Sequence, residues 1–239
     1  MSYQPALPFV ALMALSFFTR DPASAADAED YAAERERMVS EQIEARGVRD
    51  PRVLAAMRKT PRHRFVPENV QASAYRDHPL PIGEDQTISQ PYIVALMTEL
   101  ARPARTDRVL EVGTGSGYQA AVLAPLVAHV YTIELEASLA QSAEKVLREL
   151  QYENVTTRTG DGYAGWPEEA PFDIIIVTAA PDHVPQPLID QLKPGGRLIA
   201  PVGPTHATQQ LQVIAKDSSG KLSTRNVSPV RFVPLRRKP

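Results

Sequence analysis

Apolar residues recur along this chain first at helical spacing and later at strand spacing. Tyr31 to Arg46 is rich in Ala, Glu and Arg, with Val39 and Ile43 one turn apart, and Gly47 follows as a stop. A second helix opens with Asp50 as cap and Pro51 at the first helical position. Val53, Leu54 and Met57 form its apolar stripe, and Pro61 ends it. Residues 76–91 carry no period and are dominated by Pro, Gly and polar side chains, so a long irregular loop is expected there, of the kind that binds ligands. A third helix puts Ile93, Leu96, Met97 and Leu100 at core spacing before Pro103.

From Asp107 the pattern alternates. Strands are expected at Arg108 to Val112, His129 to Ile133, Asn154 to Arg158, Asp173 to Val177 and Arg197 to Val202. Helices are expected at Tyr118 to Leu126, Ala137 to Leu150 and Pro187 to Leu192, with a turn at Lys193-Pro194-Gly195-Gly196. The unbroken apolar run at 173–177 suits a central parallel strand covered on both faces. Gln209 to Ala215 and Leu222 to Asn226 flank Asp217-Ser218-Ser219-Gly220, a hairpin signal. The expected fold is α/β, a doubly wound and mostly parallel sheet with antiparallel C-terminal strands and an N-terminal helical extension. One domain is expected over 31–239: a helical part at 31–106, an α/β core at 107–203, and antiparallel strands with a tail at 204–239.

Such sheets bind ligands beyond the carboxyl ends of their strands. That gathers Glu111, Gly113, Gly115, Gly117, Glu134 and Asp161 around one crevice. Glu111-x-Gly113-x-Gly115-x-Gly117 differs from the dinucleotide spacing G-x-G-x-x-G. A carboxylate just before the first glycine would repel a pyrophosphate and attract an amino group. The loop therefore favours S-adenosyl-L-methionine over NAD. Glu134 ends the second strand, where an acid accepts hydrogen bonds from ribose hydroxyls. Asp161, beside Gly162, ends the third strand and could take the adenine amine. Each acid alone could equally be a solvated strand end.

Composition narrows the classes. No cysteine is present, which excludes disulfides, thiolate metal sites and cysteine nucleophiles. The formal charge of −2 offers no basic field for nucleic acid. The five histidines are scattered, with no metal-ligand spacing, so no metal is expected. Ser116 lacks the glycines of a nucleophile elbow, since Thr114 and Tyr118 stand in their places. Leu7 to Phe18 is an apolar run too short to span a membrane comfortably. With Ala23-Ser24-Ala25 after it, residues 1–30 read either as a cleaved leader or as an uncleaved extension.

A more specific pattern surrounds these features. Pro79-Leu80-Pro81-Ile82-Gly83 through Gln86-Thr87-Ile88-Ser89-Gln90-Pro91 resembles the substrate loop of the protein-L-isoaspartate O-methyltransferase family. Val109 to Gln119, Phe172-Asp173 through Thr178-Ala179-Ala180, Leu192 to Leu198 with Pro201-Val202-Gly203, and Val230 to Leu235 resemble it too. The likeness covers about residues 35–236. One departure is Glu84-Asp85, where the family often has Gln-Gly.

The resemblance implies a Rossmann-like class I fold and methyl transfer from S-adenosyl-L-methionine to damaged proteins and peptides containing L-isoaspartate. It implies a catalytic Ser89, with Ile82, Gln86, Thr87 and Ile88 in the substrate site. Glu111, Gly113, Thr114, Gly115, Gly117, Glu134, Asp161 and Gly162 would bind the cofactor. Read without the family, Ser89 is a helix-start residue, its hydroxyl offered beside N–H groups that favour negative charge. An extended peptide is expected between the 82–89 loop and Val230 to Val233. Action in the cytoplasm as a monomer, with no nucleic-acid or membrane partner, is expected, with export through the signal-like residues 7–25 as the alternative. The rival readings are a small-molecule methyltransferase of the same fold, a binding-only relative, and an NAD dehydrogenase.

Overall fold

The computed structural model describes residues 31–205 and 207–237, together with Met1. The signal-like run at 7–25 lies outside the described residues. Helix α1 covers 31–46, changing to π geometry over Met38–Ile43 and to 3-10 geometry over Glu44–Arg46. It ends where Gly47 takes a φ of 102°. Helix α2, Pro51–Lys59, starts as expected, with the Asp50 side chain accepting from Arg52 N at 2.9 Å. Val53, Leu54 and Met57 are buried.

The stretch read as an irregular loop is instead ordered by pairing. Strands β1 (Leu80–Gly83) and β2 (Gln86–Ile88) form an antiparallel hairpin, with Leu80 opposite Ile88 and Gly83 opposite Gln86. Its two turn residues, Glu84 and Asp85, both have positive φ, 51° and 54°. That is the primed-turn geometry whose twist matches a hairpin. No strand period was visible because each strand is so short. The tip is tied down where Ser138 Oγ donates to Glu84 Oε1 at 2.9 Å.

Helix α3, Pro91–Ala101, follows. Its buried face is Val94, Ala95, Met97, Thr98 and Ala101, whereas Ile93, Leu96 and Leu100 are only half-buried. α3 is packed by α1 and α2 as well as by the sheet.

Seven strands form the main sheet: β3 (Arg108–Val112), β4 (His129–Glu134), β5 (Val155–Thr159), β6 (Phe172–Val177), β7 (Leu192–Val202), β8 (Gln209–Lys216) and β9 (Leu222–Val230). Their order is β5-β4-β3-β6-β7-β8-β9. The first five run parallel, and β8 and β9 complete an antiparallel meander. Helices α4 (Tyr118–Leu123), α5 (Ala137–Glu149) and α6 (Gln186–Gln191) provide crossovers. The turn expected at 193–196 is absorbed into β7 as an irregularity, with Gly195 at φ 86°.

Strand alternation divides two cores. Val109, Ile174 and Ile176 face a core shared with α1 to α4, while Leu110, Val112, Ile175 and Val177 face the one containing Trp166 and Leu188. Chain direction away from the sheet centre reverses between β3 and β6, which opens a crevice at the strand ends.

Candidate active site

Everything at the crevice starts from the end of β3. Glu111 shares the parity of Val109, so its side chain points to the α3–α4 side. It is paired across the ladder with Thr132. Thr132 Oγ1 donates to Glu111 Oε2 at 2.5 Å, and Thr114 Oγ1 lies 2.6 Å from Thr132 Oγ1. The other oxygen, Glu111 Oε1, is buried and has no partner. Burial pushes the Glu111 carboxyl up to about 8, with the Thr132 bond opposing the rise and the Glu134 charge adding to it.

The glycine loop wraps around this carboxyl. Gly113 N and Thr114 N donate to Ile133 O at 2.9 and 3.2 Å. Gly113 has φ 101°, and a Cβ there would be driven into Thr178 Oγ1. Thr178 Oγ1 itself donates to Gly113 O at 2.5 Å. Gly115 N donates to Glu134 Oε2 at 2.7 Å, and Glu134 Oε1 accepts from Glu136 N at 3.0 Å. The acid ending β4 thus holds the loop as well as facing the cavity.

These residues line a cavity of about 740 Å³, part of it open to solvent. Of the expected cofactor residues, Glu111, Gly113, Thr114, Gly115, Glu134 and Gly162 are on its wall. Gly117 is not; it caps α4 with a φ of 85°, against Ala143 and Leu147. Asp161 is not on the wall either. Its Oδ1 accepts from Tyr163 N at 2.9 Å in the turn after β5, which leaves Oδ2 without a protein donor among the described residues. Ser116, Tyr118, Gln119, Leu135, Thr178 and the segment Val233 to Arg236 also line the cavity. The last of these straps across from the C-terminus: Ala180 N donates to Val233 O at 2.8 Å, Leu235 N to Ala180 O at 2.9 Å, and Arg236 pairs with Glu136 at 2.8 Å.

A second, larger groove of about 1390 Å³ adjoins the first. It runs between the start of α3 and the segment Ser228 to Val233 that ends β9. Thr87, Ser89, Thr178 and Val233 belong to both cavities. Of the expected substrate-loop residues, Thr87 alone joins Ser89 on the groove. Gln86 and Ile88 face the first cavity instead. Ile88 is 3% exposed and belongs to the core, and Ile82 lies over Gly115. Hairpin alternation explains this, since Thr87 is turned away from Gln86 and Ile88.

Ser89 precedes the helix cap, which is Gln90. The N–H groups expected to favour an anion beside it are partly taken. Asp77 Oδ1 accepts from Tyr92 N at 3.2 Å, and Asp77 Oδ2 accepts from Gln90 Nε2 at 2.6 Å and pairs with Arg46. Asp77 was not singled out by the sequence, because an acid fourteen residues before a helix has no local signature.

A doubly wound sheet with a carboxylate-led glycine loop and a second acid at the next strand end defines a methyltransferase of the S-adenosyl-L-methionine-dependent class. The unpartnered Glu111 oxygen and the glycine cradle fit that cofactor, whose amino group would answer the buried acceptor. Residues 33–239 match the family model described as Protein-L-isoaspartate(D-aspartate) O-methyltransferase (PCMT). A protein-L-isoaspartate O-methyltransferase of Opitutus terrae is 59% identical over 204 residues, covering 85% of this chain and 87% of the relative. One from Nitrosospira multiformis is 55% identical over 238 residues and 99% of each chain. The solved structure of a Plasmodium falciparum protein-L-isoaspartate O-methyltransferase in complex with S-adenosyl-L-homocysteine shares 25% identity at a TM-score of 0.73, over 85% of this chain and 99% of that one. The chain belongs to the protein-L-isoaspartate O-methyltransferase family.

Proposed function

We propose that this protein transfers the methyl group of S-adenosyl-L-methionine to the free α-carboxyl of L-isoaspartyl residues in damaged proteins. The observation that carries this reading is the junction of the two cavities at Thr87, Ser89, Thr178 and Val233. A cofactor chamber and an open peptide-sized groove meet across one serine. Glu111, Gly113, Thr114, Gly115, Glu134 and Gly162 hold the cofactor, with Gly117 and Asp161 shaping the loops that carry them. When bound, S-adenosyl-L-methionine supplies an electrophilic methyl on a sulfonium, with a neutral thioether as leaving group.

A free α-carboxyl has a pKa of about 3.3–3.7, so the substrate arrives as a carboxylate and needs no general base. The residues of the junction have only to align it. Ser89 donates its hydroxyl to one carboxylate oxygen and leaves the other for attack. Thr87 and the Val230 to Val233 backbone form the walls against which an extended peptide lies. Positioning of this kind is worth on the order of 7–11 kcal/mol. The ester formed is a better electrophile than the carboxylate, so the neighbouring amide nitrogen closes a succinimide without further help. Hydrolysis of the succinimide returns some normal aspartate.

Recognition of an extended backbone suits damage that arises in many sequences. We further propose that the protein acts in the cytoplasm, where its cofactor is made, as a monomer and without nucleic-acid or membrane partners. Among the described residues no helix is long and apolar enough to cross a membrane. The test is to incubate an isoaspartyl peptide with enzyme and cofactor and follow it by chromatography and mass spectrometry. Successive methyl ester, succinimide and aspartyl peptide are expected; a peptide that stays unmodified would remove the proposal.

A further inference from the structure

Two buried acceptors on the cofactor cavity lack a donor, and only one of them is accounted for by the glycine-loop motif. Besides Glu111 Oε1, the second is Gln119 Oε1. Gln119 sits in the first turn of α4 and is 6% exposed. The orientation of its amide is fixed by its neighbour. Thr98 Oγ1 donates its single proton to Val94 O at 2.8 Å. It can therefore only accept from Gln119, at 2.9 Å, and the group offered to it must be the NH₂. The carbonyl oxygen of Gln119 is left as an acceptor without a donor. A buried acceptor in that state is costly unless a ligand answers it.

The strand parity that sends Glu111 to the α3–α4 side brings it to the side on which Gln119 stands. Both open acceptors therefore belong to one flank of the chamber, and once Glu111 gives up its proton beside a cationic ligand neither offers a proton to a carboxylate. An ammonium carries three donors and no acceptor, which matches what this flank supplies. We infer that Gln119 binds the α-amino group of the cofactor as a second acceptor beside Glu111, so that the carboxyl fixes the charge and the amide fixes its direction. This rests on reading the cavity as the S-adenosyl-L-methionine site. It also gives Thr98 a role, as the positioning residue that aims the amide.

The test is calorimetric binding of two ligands to the wild type and to Gln119→Leu. S-adenosyl-L-homocysteine carries the amino group, and 5′-methylthioadenosine lacks the amino-acid portion. A hydrogen bond to a charged group is worth enough to change Kd about tenfold or more. Gln119→Leu is expected to weaken S-adenosyl-L-homocysteine by that factor and to leave 5′-methylthioadenosine within about twofold. Parallel weakening of both ligands would reduce Gln119 to a packing role and overturn the inference, as would unchanged affinity for both. A second measurement compares Glu111→Gln, Gln119→Leu and the double variant with S-adenosyl-L-homocysteine. Two acceptors on one ammonium should give non-additive losses, and strictly additive ones would contradict the assignment. Failure of the wild type to bind S-adenosyl-L-homocysteine would instead remove the cofactor reading itself.

Discussion

Glu111→Gln removes the ionisable group at the centre of the site and changes little else in shape. In the free protein burial pushes the Glu111 carboxyl up to about 8, against 4.5 for an ordinary glutamate, with one oxygen left unpartnered. Below pH 4.5 both folded and unfolded chains carry the proton, and the group costs nothing. As pH rises, the unfolded chain ionises first and the folded one keeps its proton, so stability falls. The loss is about 1.4 kcal/mol per pH unit until the folded pKa is reached. At pH 7 this amounts to about 3 kcal/mol. Glutamine has no such proton to lose. The variant without cofactor should therefore be more stable than wild type at pH 7 by about 1–3 kcal/mol, with the difference shrinking towards zero near pH 4.5. The same change should weaken S-adenosyl-L-homocysteine by about tenfold or more, because a charged partner of the ammonium is gone. Urea unfolding of both proteins from pH 5 to 8.5, with calorimetry at pH 7.5, measures the two effects. A constant stability difference across that range would refute the buried-carboxyl argument.

Ser89→Ala should lower kcat about 10- to 100-fold through loss of one bond to a carboxylate, with the Kd of S-adenosyl-L-homocysteine unchanged; single-turnover rates and calorimetry separate the two. Gly113→Ala should cost about 2 kcal/mol or more and abolish cofactor binding, because the backbone there has φ 101° and an added Cβ would collide with the Thr178 hydroxyl; thermal unfolding with and without S-adenosyl-L-homocysteine reads both. Asp85→Gly should raise Tm by about 2–4 °C, since glycine accepts the φ of 54° that aspartate occupies at about 1 kcal/mol of strain. Unchanged or lower Tm in that variant would mean that the hairpin turn stores no such strain.

Residues whose role is set by nearby sequence were legible in the chain. The glycine loop, the acids near the ends of β3 and β4, the capped start of α2 and the β8–β9 hairpin all lie where their local patterns put them. The centre of the parallel sheet was readable because β6 is apolar on both faces over Ile174 to Val177. Residues whose role is set by tertiary neighbours were not. β1 and β2 are too short to show a period, and only their pairing lets Thr87 reach both cavities while Gln86 meets the first alone. The strap at Val233 to Arg236 closes the cofactor cavity through backbone bonds to Ala180, which no side-chain pattern encodes. Gln119 and Thr178 stood within stretches that resembled the family, yet nothing in the sequence distinguished them from helix and strand-end residues. Asp161 stands at the strand end where an acid was expected, and its Oδ1 also accepts from Tyr163 N in the turn that follows, a bond no strand-end pattern announces.

Ser89 joins a cofactor chamber to a groove proposed to receive isoaspartyl peptides. The most direct test of that proposal is transfer of labelled methyl from S-adenosyl-L-methionine to two synthetic peptides that differ only in isoaspartate versus aspartate. Base-labile label on the isoaspartyl peptide alone is the predicted result. Equal labelling of both peptides, or label on neither while S-adenosyl-L-homocysteine binds, would contradict it.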